Sequence, residues 1–279
     1  MFNTLVFAVM KVVQSTESLS VVPQLRKATF VFLMACLPVC GVAYAATSAA
    51  SLSQQAHQLF IENKGNEARA MLRQAADVNP EDPSVVFERA MLDDAFGEHG
   101  KARAGYDQVQ MGPLATAAAV PSAANLVALG RFTQARKAFA QLATSQDAYT
   151  AGYSQLWQLW LTARTQKGQA AALGAKLAKA AVHVKAATPQ QRALAELYAG
   201  KGSVEAVFSA IDSMGLVDPL QRRDAYAEAA FFAGGYQQYV RRDYPAAMRL
   251  YQQELSHPGA SIERPLLKQA LARLPAASR

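Results

Sequence analysis

Three stretches of this chain carry nearly the same text: EARAMLRQA at residues 67–75, KARAGYDQV at 101–109 and QARKAFAQL at 134–142. Ala-Arg recurs at 68/69, 102/103 and 135/136, and Gln at 74, 108 and 141, so the period is 34 and then 33 residues. Small and large apolar residues keep fixed offsets within each copy. A recurrence of that length points to stacked helix pairs, each burying a face on the next, more than to one globular core.

Around the first copy, Ala68, Met71, Leu72, Ala75 and Val78 recur at spacings of three and four, which makes one apolar helical stripe. Asn79-Pro80 ends it. A helix over 54–63 precedes it across Lys64-Gly65-Asn66, and two helices joined by so short a loop pack antiparallel. From about Leu52 onward the composition favours helix throughout, with Gly and Pro marking the breaks. Further helix pairs are expected at 153–164 with 169–184 and at 190–199 with 204–214, and a clear copy of the repeat returns over 228–255. Pro121 leaves the first helix of the third copy open. A last helix over 264–274 is expected to cap the stack.

These residues resemble the tetratricopeptide repeat, a 34-residue helix-turn-helix. In that motif, small residues let paired helices approach, a large residue follows, and Pro ends the unit. Ala56, Ala68, Leu72, Ala75 and Pro80 match it, as do Ala90, Ala102, Tyr106, Val109 and, one residue late, Pro113. The third copy has Gly130-Arg131-Phe132, Ala135, Phe139 and Leu142; the last has Gly235, Asp243-Tyr244, Ala247 and Tyr251. The fold class expected is therefore all-α, a solenoid of antiparallel helix pairs filling 46–279, with the clearest repeats at 49–82, 83–115, 116–149 and 228–261. Leu159-Trp160-Leu161 and the run from Phe231-Phe232 to Glu263 are also similar to envelope lipoprotein adaptors of the NlpI type, which hold cell-wall hydrolases and proteases.

With 51% apolar and 18% charged residues, the chain has ample material for a core. Its formal charge is +7, but residues 1–45 carry three of the basic residues and one acidic one, leaving 25 basic against 20 acidic. Without a run of like charge, that excess reads as a solvated surface and not a nucleic-acid site. Residues 1–45 read as an N-terminal extension and secretory signal: Arg26-Lys27, eighteen uncharged residues, then Ala43 and Ala45 at cleavage spacing. Three fates stay open. The signal is cleaved after Ala45, or Cys36 in Leu33-Met34-Ala35-Cys36 is lipidated, or the segment stays as an uncleaved anchor. Residues 1–21 sit ahead of that signal, and translation starting near Val21 or Val22 would account for them. Both cysteines, Cys36 and Cys40, fall here, so the remainder is held without disulfides and is without thiol chemistry.

Catalytic motifs are absent from the text. Gly200-Lys201-Gly202-Ser203 lacks the upstream Gly and the following Ser or Thr of a phosphate loop, and reads as a turn. His57, His99, His183 and His257 are scattered, with no metal spacing. Asp93-Asp94 point about 100° apart on a helix. No enzyme activity, cofactor or metal is expected.

Tyr149, Tyr153, Trp157 and Trp160 form an aromatic ladder on one helix face, either a core stripe or a patch gripping peptide or glycan. The repeat resemblance implies a concave groove lined by His57, Phe60, Phe87, Met91, Asp94, Val127, Phe232, Tyr236 and Tyr239, with Trp157 and Trp160 as further candidates. Such a groove suits an extended or helical peptide. The expected function is a non-catalytic envelope adaptor for a protein or peptide partner, exported to the bacterial periplasm. It touches membrane only through its N-terminal segment, and a homodimer is left open. The alternative is a structural or glycan-handling subunit of an export assembly.

Overall fold

The computed structural model describes residues 48–275; the expected signal, its cleavage site and Cys36 lie outside them. Among the described residues the chain is all α. The helices are α1 (Ala49–Ile61), α2 (Gly65–Val78), α3 (Pro83–Ala95), α4 (His99–Val109), α5 (Ala115–Ala128), α6 (Phe132–Leu142) and α7 (Ala148–Thr165). They continue as α8 (Ala170–Ala181), α9 (Pro189–Tyr198), α10 (Val204–Ser213), α11 (Pro219–Tyr236), α12 (Tyr244–Leu255) and α13 (Arg264–Ala272). None is long and apolar enough to cross a membrane.

The turns show why the helices pair. Asn63, Gly97, Gly130 and Arg242 each take a left-handed backbone conformation, and in each case one residue separates it from the next helix. The first three stand 34 and 33 residues apart, so the sequence period is also the period of the turn. Entry into seven of the described helices is fixed by side-chain caps. Ser48, Asp82, Asp147, Thr188, Ser203, Asp218 and Asp243 each accept a hydrogen bond from a backbone N–H of the following turn, and Pro follows Asp82, Thr188 and Asp218 directly. Gly200-Lys201-Gly202-Ser203 is the turn before α10, with Ser203 as that helix's cap. Pro121 does not break α5, which runs through it for fourteen residues. Burial of nearly every neighbour compensates the lost backbone bond, and the buried Arg103 donates to the Ser122 carbonyl and hydroxyl.

Consecutive helices pack as hairpins through α1/α2, α3/α4, α5/α6, α7/α8, α9/α10 and α11/α12. At the repeated seam, Ala68, Ala102, Ala135 and Ala247 have no accessible surface, and the residue four positions on, Leu72, Tyr106, Phe139 or Tyr251, is buried. Gly105 shows how closely the helices approach: a methyl group added there would stand 2.9 Å from the Ala90 side chain. The aromatic ladder is core. Trp157 stacks on Phe139 with centroids 4.7 Å apart and packs against Phe231, while Tyr153 meets Phe232 edge-on, so α6, α7 and α11 share one aromatic centre.

One element departs from expectation. The helix expected to cap the end of the stack, α13, packs not only on α12 but also on α3, α5 and α11, reaching back to the early repeats. The segment before it carries Ala260 into the core of α1 to α5, and Ile262 packs against both that cluster and the larger one formed by the later helices.

If the seam sets the spacing of each hairpin, Ala102→Leu must overpack it and lower stability by about 1–3 kcal/mol. Ala104→Leu, on the exposed face of the same helix, is expected to stay within about 0.5 kcal/mol of the parent. Denaturant unfolding of both variants measures the difference; equal losses would contradict the packing account.

Candidate functional site

The eleven residues expected to line a groove divide into two groups, and nine of them are buried. His57, Phe87, Met91, Trp157, Phe232 and Tyr236 are buried, Tyr236 at the edge of a separate cavity beside Gly200 and Arg241. The Tyr106 hydroxyl donates to the Met91 sulfur, Phe87 packs against the Tyr106 ring, and Tyr198 stands edge-on to Tyr236 while donating to the Phe232 carbonyl. As a partner-gripping surface these six positions are corrected to core, because adjacent hairpins close over them. The other five flank the cleft that α13 occupies: Phe60 borders a cavity on one side of it, Val127, Trp160 and Tyr239 border a pocket on the other, and Asp94 bonds to His99 on the wall of the first. That cleft already holds the chain's own residues.

His57 is the buried polar exception. Its Nδ1 lies 3.0 Å from Glu88 Oε2, joining α1 to α3 with both side chains essentially inaccessible. Burial pulls the imidazole pKa down, but the charge and hydrogen bond of Glu88 together carry it above its ordinary value. This is a structural pair, not a ligand hook.

The cleft runs between the early repeats and α13. On one flank a cavity of 520 Å³ is walled by Phe60, Ala95, Phe96 and His99 on the repeat side and by Pro265, Lys268 and Gln269 on the other. On the opposite flank Leu266, Gln269, Ala270 and Arg273 of α13 face Val127, Phe132, Trp160, Phe231 and Tyr239. The polar contacts are directional. His99 Nδ1 lies 2.5 Å from Asp94 Oδ1, and Asn125 Nδ2 donates to the same oxygen. With Nδ1–H given to Asp94, Nε2 is left to accept, and Gln269 Nε2 stands 2.7 Å from it. Gln269 also donates to the Ala128 carbonyl at the end of α5, and Arg264 donates to the carbonyls of Glu254 and Leu255 at the end of α12. Gln269 and Arg264 therefore fasten α13 to the ends of α5 and α12 that were left without intrahelical partners.

Charge at the far end is less well matched. Arg164 lies over the rings of Phe132 and Tyr239, 5.2 and 5.1 Å from their centroids. Burial pushes the Tyr239 hydroxyl pKa up while the Arg164 and Arg273 guanidiniums both pull it back, so two cations face one phenol.

An acidic seam lies under the start of α13. Tyr149 donates to Glu228 and Tyr153 donates to Glu263, each at 2.5 Å. Burial first, then the neighbouring Glu263 charge, pushes Glu228 up to about 8; burial pushes Glu263 up and Glu254 to about 7. No local pattern announces this pair, since Glu228 and Glu263 stand 35 positions apart and only the fold brings them together. Gln269, Asn125 and Arg164 were likewise missed, as none belongs to a motif.

The arrangement can seat a helix: apolar steps in the middle, side-chain donors and acceptors at the helix ends, and cations at one extremity. Among the described residues no three His, Cys, Asp or Glu side chains gather as a metal would require.

Two consequences are measurable. Replacing His57 by Leu strands the Glu88 carboxylate in the core and is expected to cost about 3–5 kcal/mol, read by denaturant unfolding; a loss under about 1 kcal/mol would show the pair to be immaterial. Because Glu228 titrates higher folded than unfolded, its contribution is complete below the ordinary carboxylate range and is lost as pH rises through about 8. The melting temperature should fall by roughly 5–10 °C between pH 5 and pH 8, and Glu228→Gln should flatten that profile. Set beside protein-family models and curated proteins, the chain matches none.

Proposed function

We propose that this chain is a non-catalytic tetratricopeptide-type adaptor of the bacterial envelope, holding a partner protein along the inner face of its helix pairs. The observation that carries this reading is the cleft beside α3, α5 and α11, which receives a helix through apolar steps and helix-end hydrogen bonds and so has the chemistry of a helix receptor. Recurrence of the seam alanines and of the left-handed turn at the 34/33 spacing supports the repeat assignment. The secretory pattern in residues 1–45 supports export, with attachment through Cys36 as one of its three fates. Cell-wall enzymes are the partner class suggested by the NlpI-type likeness. The glycan-handling alternative leaned on Trp157 and Trp160 as surface aromatics, and their burial withdraws that support.

The decisive experiment places a photocrosslinking amino acid at Phe96, a partly exposed residue on the cleft's wall, in cells making the full chain. A small set of envelope proteins captured there, and not from exposed Val217 on another part of the surface, is the expected result. Equal capture from both positions, or none from either, would count against an adaptor.

A further inference from the structure

The last helix occupies the very cleft that the preceding reading gives to a partner, and that occupancy describes the ligand. We infer that α13 is a placeholder for an amphipathic helix of the partner, which takes its seat and carries an acidic residue where this chain has Arg273. The inference rests on the adaptor reading and specifies its ligand and its competitor.

Four observations carry it. First, α13 is nine residues long and has no hairpin turn to its neighbour; it follows a helix-free segment containing Pro258 and Gly259. Second, its apolar face is a helix-ligand face. Leu266 and Ala270, four apart, meet Val127, Trp160 and Phe231, while Leu267 and Leu274 are buried beside them. Third, the fit is incomplete. The 520 Å³ cavity stays open along the Pro265–Lys268–Gln269 flank, and Asn125 Oδ1 is buried without a hydrogen-bond partner within the same polar cluster that Gln269 joins. A tightly evolved plug would fill the first and satisfy the second.

Fourth, two cations and no carboxylate line the far end. Arg273 comes to the same small pocket as Arg164, which rests on Phe132 and Tyr239 and forms no ion pair among the described residues. Arg273 therefore adds no attraction to Arg164, whereas a carboxylate at that position would pair with it. A self-ligand that seats but does not saturate its site can be displaced by a better one at modest cost. The partner's helix is therefore expected to present a large apolar residue and a small one four positions on, a polar side chain for His99 between them, and Asp or Glu about one turn beyond.

The test uses the full chain and two fluorescent synthetic peptides: residues 263–275 as they stand, and the same peptide with Arg273→Glu, with anisotropy as the readout. The acidic peptide is expected to bind about five- to tenfold more tightly than the parent peptide, and Arg164→Ala in the full chain should erase that preference. Gln269→Ala in the full chain, which loosens α13 without touching the receiving wall, should tighten both peptides by about fivefold. Refusal of both peptides by both the parent chain and the Gln269→Ala chain would overturn the inference. So would a preference that survives Arg164→Ala. The two readings fail separately: a cellular partner crosslinked at Phe96 with both peptides refused removes the placeholder and keeps the adaptor. Peptide exchange with no cellular partner does the reverse.

Discussion

Close approach at a few small residues is the constraint on which the rest of this molecule depends. Ala68, Ala102, Ala135 and Ala247 have no accessible surface because a second helix lies directly against them, and the large side chain one turn on fills the wedge that this approach leaves towards the next hairpin. Each unit is thus locked to its neighbour by shape, and the interaction is dispersion and burial summed over many contacts rather than any one strong bond. Such packing transmits position along the chain. It also leaves the chemistry of the inner face free to vary, since the seam alone keeps the helices in register.

That freedom is used by the segment after α12. Ala260 enters the core of the first helices and Ile262 touches both hydrophobic clusters, so the carboxyl-terminal residues join two parts that hairpin packing alone would link only through a succession of neighbours. The polar contacts made there are of a different kind from the seam. Gln269 and Arg264 satisfy helix-end carbonyls, and the Tyr149–Glu228 and Tyr153–Glu263 pairs put carboxyls where burial pushes their pKa values up, that of Glu228 to about 8. An arrangement with unfilled volume and two arginines at one pocket is less optimised than the seam, which is the physical contrast between a region that specifies the fold and one suited to exchange.

Legibility followed the range of the interactions. Helix existence, hairpin turns and the alanine seam could be read because each depends on residues within about one repeat of one another, and periodicity records them. Pro121 misled in the other direction, since its local preference against a helix interior was overridden by burial and by Arg103 bonding to Ser122. The groove was legible only in part: Val127, Trp160 and Tyr239 do share a cleft, whereas Phe87, Trp157 and Phe232, marked by the same reasoning, are enclosed. Apolar residues on an inner helix face look alike in text whether the next hairpin covers them or leaves them at an edge.

The sequence by itself determined that this chain forms repeated helix pairs, where their turns fall and which small residues meet, because those outcomes follow from spacing along one helix and across one short loop. Only the tertiary structure decided that the last helix returns to the early repeats, that Glu228 meets Glu263 beneath it, and that Arg273 comes to the same pocket as Arg164. Those contacts join residues 35 to more than 100 positions apart, and no local period encodes where a chain's end comes to rest when a short, helix-free connection leaves its direction to be set by packing.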